Sequence, residues 1–179
     1  MSLEIMVAGI GGIQVEYSEY TRIVSGSGTL QPPTGAKAMR VAAIGAGGGA
    51  ASILNRALSD NSDWETSACG GGGGGCAATK IVKAEPVTYS IGLGGVSEKD
   101  YAEQYNLFVA ASGNDGGDTT ATFGSYSLVG TGGEGGHASN VGVELSWSSS
   151  VSGQGGDYSF TGGRARLVRS IGHGSYVIA

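Results

Sequence analysis

Basic clusters are the first thing this 179-residue chain lacks. Ten lysines and arginines are spread against fifteen acidic residues, for a net charge of -5, so no basic stripe is offered to a phosphate backbone and nucleic acid is excluded as a partner. Arg164, Arg166 and Arg169 come nearest to a cluster, but they alternate with apolar residues as on the solvent face of a strand. Long apolar runs are missing too. Nothing approaches the roughly 20 residues of a membrane helix, and MSLEIMV has neither the basic region nor the apolar core of a secretion signal. Membrane insertion is not expected, and the protein is expected to be made in the cytoplasm. Histidine is scarce: His137 and His173 both sit in glycine loops, and Ser139 near the first makes no triad by adjacency alone. With no nucleophile motif and no paired carboxylates, no enzyme is expected.

The two cysteines, Cys69 and Cys76, bracket six glycines in CGGGGGGC. If that run is extended at about 3.1 Å per residue, the cysteine Cα atoms lie about 22 Å apart, against the limit of about 7 Å for a disulfide. Only a hairpin inside the run could join them, so thiols are expected. No CxxC spacing exists and the histidines are remote, so no metal site and no cofactor is expected.

Glycine is what the chain has. Its 36 glycines equal its leucine, isoleucine, valine and phenylalanine combined. Each costs about 0.5–1 kcal/mol relative to alanine inside regular structure, so a folded chain this rich in glycine must use backbone packing that side chains would obstruct. Repeated apolar alternation, eight tyrosines, two tryptophans and a charged fraction of only 14% argue for a folded chain. Strands are expected within the first 25 residues (LEIMVAGI, IQVEY, YTRIV), then at Lys37–Ile44, Thr79–Ala84, Val87–Leu93, after SGNDGGD, in VGVELSWSS and at Ser175–Ala179. At most two short helices are expected, near Ala50–Leu58 and Ser97–Phe108.

The stretch MRVAAIGAGGGAASILNRAL offers one competing reading. Gly45, Gly47 and Ala50 match a dinucleotide fingerprint, with Glu65 about 20 residues on. That fold needs strands alternating with helices of 10–15 residues, whereas here one weak helix is followed by polyglycine. Nucleotide binding through GAGGGA is therefore a minor alternative.

Four pieces, TLQPPTGAKAMRVAAIGAGGGA, ACGGGGGGCAATKIVKAEPVTYSIGLGG, TTATFGSYSLVGTGGEGG and GHGSYVIA, occur in that order. In this order they resemble the glycine-rich domains of bacteriophage tail fibres and other virion appendages. The resemblance covers 29–179 and leaves 1–28 as N-terminal strands or an attachment segment. It implies a compact all-β, glycine-rich, β-sandwich-like domain with some segments as polyglycine-II strands, packed so closely that Gly72 or Gly73 could not carry a side chain without loss of stability. It also implies a non-enzymatic virion structural protein that touches the host surface through its non-glycine loops, with a purely structural capsid or tail decoration as the alternative. The implied partners are further copies of itself, as a homotrimer, neighbouring virion proteins, and a host saccharide or outer-membrane protein. In those loops the binding candidates are the aromatics Trp64, Tyr101, Tyr105 and Tyr126, which bury large area at small entropy cost, with Asp63 and Asp115 as acceptors for saccharide hydroxyls.

Overall fold

The computed structural model describes residues 2–11, 14–56, 64–97, 109–138, 145–146, 149–165 and 167–172. Every regular element among them is a strand. In chain order these are β1 (Ser2–Gly11), β2 (Gln14–Ile23), β3 (Ser27–Leu30), β4 (Ala38–Ile44), β5 (Ala51–Arg56), β6 (Trp64–Cys69), β7 (Cys76–Ala78) and β8 (Val82–Lys83). Then follow β9 (Val87–Ser90), β10 (Val109–Ala111), β11 (Thr119–Phe123), β12 (Tyr126–Gly130), β13 (His137–Ala138), β14 (Leu145–Ser146), β15 (Tyr158–Phe160) and β16 (Leu167–Gly172).

Two sheets face each other around the core. One runs β15-β7-β4-β1-β2, with β8 also on β4, and the other β12-β11-β9-β3, all antiparallel. Along β4 the period-two pleat turns Met39, Val41 and Ala43 inward and leaves Arg40, Ala42 and Ile44 half-buried on the other side. Opposite lie Val87, Ile91, Ala121, Phe123 and Leu128, which complete a single apolar cluster. Full burial of a side chain such as Leu128 is worth about 1.5–3 kcal/mol. Buried hydroxyls are tied into the backbone: Val41 N–H donates to Thr79 Oγ1 at 3.2 Å and Gly92 N–H to Thr119 Oγ1 at 3.2 Å. At the β11–β12 hairpin, Gly124 takes φ +51°, a conformation that favours glycine.

From this sandwich the chain passes repeatedly into glycine segments that belong to no sheet. Their backbone hydrogen bonds recur every third residue. Gly45 and Gly48 donate to Gly75 and Gly72; Ala46 and Gly49 donate to Gly117 and Asn114; Gly133 and Gly136 donate to Ala46 and Gly49. Gly72 and Gly75 donate to Glu134 and Thr131, Gly113 and Gly116 to Gly136 and Gly133, and Asn114 and Gly117 to Val96 and Leu93. A three-residue repeat with every bond made to a neighbouring segment is the signature of polyglycine-II helices, which turn once per three residues and have no internal hydrogen bonds. The partners define two rows. The long row runs 91–97, 45–50, 70–75, 161–165; the short row, laid in its grooves, runs 112–118, 131–136, 149–154. Segments 45–50, 91–97, 131–136 and 161–165 point one way and the others point back.

Interior glycines in this lattice are sterically obligatory. A Cβ on Gly71 would overlap Gly48 O and lie 2.7 Å from Gly49 O; one on Gly74 would overlap Gly45 O and lie 2.8 Å from Ala46 O. At Gly73, by contrast, it would meet Gly163 N at 3.0 Å. The tightest places in the run are thus Gly71 and Gly74, and at Gly73 the neighbour need give only slightly.

Several sequence expectations change here. Ala50–Leu58 is not a helix: Ala51–Arg56 is β5, paired on one side to β6 and on the other to β10. The segment enters from an extended lattice strand with ladder partners waiting on both sides, and that outweighs a helix propensity too short to propagate. Of the other helix expectation, Ser97 forms an isolated bridge to Gly113 and 98–108 lie outside the described residues. Of the expected Thr79–Ala84 strand only Val82–Lys83 (β8) is strand, β7 having ended at Ala78, and the Val87–Leu93 strand ends at Ser90, where the lattice segment begins. Of VGVELSWSS, only Leu145–Ser146 is described as strand, and Ser175–Ala179 lies outside the described residues.

Candidate binding surface at the end of the glycine lattice

The lattice joins two ends of different character. Strands β4, β7, β9, β11 and β12 lead into or out of it at the sandwich end. At the far end the continuing chain forms a third sheet, β10-β5-β6-β16, and the small pair β13-β14. Arg56 and Trp64 are paired across β5 and β6, and Gly172 pairs with Trp64 from β16, so all three mark the outer limit of that sheet. Val109, paired with Leu54, and Ser97, bridged to Gly113, stand at this end as well.

Of the sequence-predicted residues, Trp64 is placed here, as the first residue of β6. Asp63, Tyr101 and Tyr105 lie outside the described residues. Asp115 and Tyr126 are placed elsewhere. Asp115 is on the lattice flank, where its Oδ1 accepts Gly135 N–H at 2.7 Å. Tyr126 is on the β11–β12 hairpin at the sandwich end, its ring stacked on Phe123 with centroids 5.3 Å apart and its hydroxyl donating to Asp157 Oδ2 at 3.2 Å. Desolvation, followed by the charge and hydrogen bond of Asp157, raises the Tyr126 hydroxyl above its ordinary pKa. The candidates therefore do not form one cluster, and two of them have structural work.

The lattice flank carries a polar device that sequence reasoning missed. In the short row, Gly132 and Gly135 direct their N–H groups out of the lattice, and the carboxylates of Asp118 and Asp115 each accept one at 2.7 Å. A carboxylate every third residue on one segment thus serves a glycine every third residue on the next. Glu134 adds another link: its Oε2 accepts Ser149 N–H at 2.5 Å and Ser149 Oγ–H at 2.6 Å. Those bonds, chiefly the hydroxyl one, and the nearby His137 hold its carboxyl below the usual range. The spacing of Asp115 and Asp118 beside GG was the visible signal, legible only once a period of three is assumed.

At the sandwich end, Asp157 also accepts Lys80 N–H at 2.9 Å, and the Arg40 guanidinium sits 5.6 Å from the Tyr158 ring centroid. Tyr158 and Phe160 remain 42% and 54% exposed on the short strand β15. Cys69 and Cys76 stand as thiols at opposite ends of the 70–75 segment, as its extended length requires. The GAGGGA segment has its N–H groups at Gly45, Ala46, Gly48 and Gly49 committed to carbonyls of neighbouring segments, and a strand follows it. A phosphate would find neither the open donors nor the helix N-terminus that the fingerprint requires. Among the described residues, no group of three or more histidine, cysteine, aspartate or glutamate side chains is placed to hold a metal ion, and no helix is long and apolar enough to cross a membrane.

Compared with known proteins, the chain matches no protein family, no curated protein and no solved structure.

Proposed function

We propose that this chain is a non-enzymatic structural protein of a virion appendage, in which the glycine lattice is a rigid spacer that holds binding loops at its far end. The observation that carries the reading is the two-ended architecture: a side-chain core at one end, a backbone-packed lattice in the middle, and a far end that holds Arg56, Trp64, Ser97 and Val109, the residues that border the stretches 57–63 and 98–108 in the sequence. Recognition residues are commonly carried on loops positioned by a rigid scaffold. By sequence, those two stretches and their borders hold Asp63, Trp64, Tyr101 and Tyr105, aromatic and acidic types suited to sugar faces and hydroxyls. The partner in this reading is a host-surface saccharide or protein.

Fluorescently labelled protein is to be titrated onto host cells, together with Trp64→Ala, Tyr101→Ala and Tyr105→Ala, and with Tyr126→Ala as a control at the opposite end. Saturable binding that the first three variants weaken and the control leaves intact supports the reading. No saturable binding to any candidate host, by a protein that melts cooperatively, would leave the purely structural decoration role instead.

A further inference from the structure

Native structures pair nearly all the backbone N–H and C=O groups they enclose, and the short row does so even for groups that point out of the lattice, giving Gly132 and Gly135 N–H to Asp118 and Asp115. The long row differs. In 70–75 the N–H groups of Gly72 and Gly75 are donated to the short row and that of Gly73 to Gly163 O. With three residues per turn, Gly71 and Gly74 aim theirs in the remaining direction, away from the short row and toward the side of 45–50. In 45–50 the carbonyls of Ala46 and Gly49 accept from the short row and that of Gly47 from Gly95, which leaves those of Gly45 and Gly48 aimed away from the short row on the side of 70–75. Both sets line one groove between these two segments. Among the described residues none of the four groups has a hydrogen-bond partner. Gly48, Gly71 and Gly74 are half-buried and Gly45 is buried.

The opposite side of the same two segments shows what such a groove holds. There 131–136 accepts Gly72 N–H on Glu134 O and Gly75 N–H on Thr131 O, both at 2.8 Å, and donates from Gly133 and Gly136 to Ala46 O and Gly49 O at 2.7 and 2.9 Å. The open groove repeats this set one residue earlier on each segment, with Gly71 and Gly74 as donors and Gly45 and Gly48 as acceptors.

We propose that the open groove is a docking site for a glycine-rich segment of a different protein, bound as one more polyglycine-II strand with glycine at every third residue. Donors and acceptors together select a peptide backbone, because a carboxylate would satisfy the two N–H groups only by facing two carbonyl oxygens. Glycine is required where the bound segment faces 70–75: in the filled groove a Cβ on Gly133 would overlap Gly72 O. A second copy has no described segment to lend, since its own are built into its lattice. The residue of 45–50 that faces the open groove is Gly47, which is exposed and whose added Cβ would meet only Gly72 O, at 3.6 Å. A larger side chain there fills the groove without disturbing the lattice.

Amide hydrogen exchange read by NMR on the isotope-labelled full-length protein tests this, with the peptide acetyl-GTGGEGGH-amide, the sequence of 130–137, added to millimolar excess. Exchange at Gly71 and Gly74 is expected to slow about tenfold at saturation, while Gly72 and Gly75, already bonded, stay unchanged. The same peptide with alanine at the places of Gly133 and Gly136 is expected to have no effect, and Gly47→Val, melting as wild type, is expected to lose the response. No slowing at Gly71 and Gly74, an equal response to the alanine peptide, or a response kept in Gly47→Val would each overturn the proposal. Should Gly47→Val melt low, the two peptides against wild type decide alone. Slowing that follows protein concentration with no peptide present would assign the groove to a second copy and overturn the partner named here.

Discussion

Replacing single glycines by alanine along the 70–75 segment and at Gly163 separates a packed lattice from a flexible tether. At Gly71 and Gly74 the added methyl is driven into backbone carbonyls of the 45–50 segment, Gly48 O and Gly49 O in the first case and Gly45 O and Ala46 O in the second. Neither group can swing aside as the end of a side chain could. The segments are pinned on either side, by Gly48 N–H to Gly72 O at 2.9 Å and by Gly45 N–H to Gly75 O at 2.9 Å, so relief requires moving one lattice strand away from another. Overpacking of this kind typically costs about 1–3 kcal/mol, and the rigid surroundings place Gly71→Ala and Gly74→Ala near the upper end. For a chain of this size each kcal/mol moves the melting midpoint by about 2–4 °C, so falls of about 4–12 °C are expected. Gly163 is the internal control. Nothing among the described residues lies within 4 Å of a Cβ there, and its φ is outside the left-handed region. Alanine at that position restricts only the unfolded chain and is expected to raise stability by about 0.4–1 kcal/mol. Gly73→Ala, with Gly163 N at 3.0 Å, should fall between. Differential scanning calorimetry of the four variants reads the order directly. If Gly71→Ala and Gly74→Ala melt at or above wild type, or indistinguishably from Gly163→Ala, the segment is not packed and the lattice account is wrong.

Asp115→Ala and Asp118→Ala each orphan an outward glycine N–H and are expected to cost about 1 kcal/mol, the usual net worth of one hydrogen bond, with asparagine at either position recovering most of it; equal melting of alanine and asparagine variants would show that the caps are idle. Glu134 has a folded-state pKa below its ordinary 4.5, so its contribution is present above that pH and is lost as pH falls through the lowered value. The melting advantage of wild type over Glu134→Gln should therefore shrink on acidification below 4.5, and an advantage constant down to strongly acid pH would contradict the Ser149 contact. Calorimetric titration with NAD or ATP is expected to give no saturable heat, since the GAGGGA donors are spent inside the lattice; binding abolished by Gly47→Val would restore the nucleotide reading.

How far the sequence could be read depended on which period was visible. The apolar alternation of Met39, Val41 and Ala43 announces β4 and its buried face, and the glycine runs announce close backbone packing, because both signals are local. The partner of each run is not local. Nothing in CGGGGGGC states that it lies between 45–50 and 161–165, since glycine has no side chain through which to encode a neighbour. The same gap misled the reading of Ala51–Arg56, where SILNR is as compatible with a helical turn as with a strand until β6 and β10 are known to flank it. For the binding candidates, residue type suggested Asp115 and Tyr126 equally with Trp64. Only the hydrogen bonds to Gly135 N–H and to Asp157 show that the first two are engaged within the fold.

The three-residue repeat also imposes a reading frame on changes of chain length. In a strand, a slip of one residue exchanges the two faces. In a lattice segment, a gain or loss of one residue rotates everything beyond it by about a third of a turn. A single deletion between Gly70 and Gly75 would therefore move Gly71 or Gly74 out of its contact with 45–50 and misalign the donors at Gly72 and Gly75. Removal of three residues would restore every direction and shorten the spacer by about one turn of 9 Å. Related chains can vary the length of this rod only in whole turns, and only if the segments packed around it change in step.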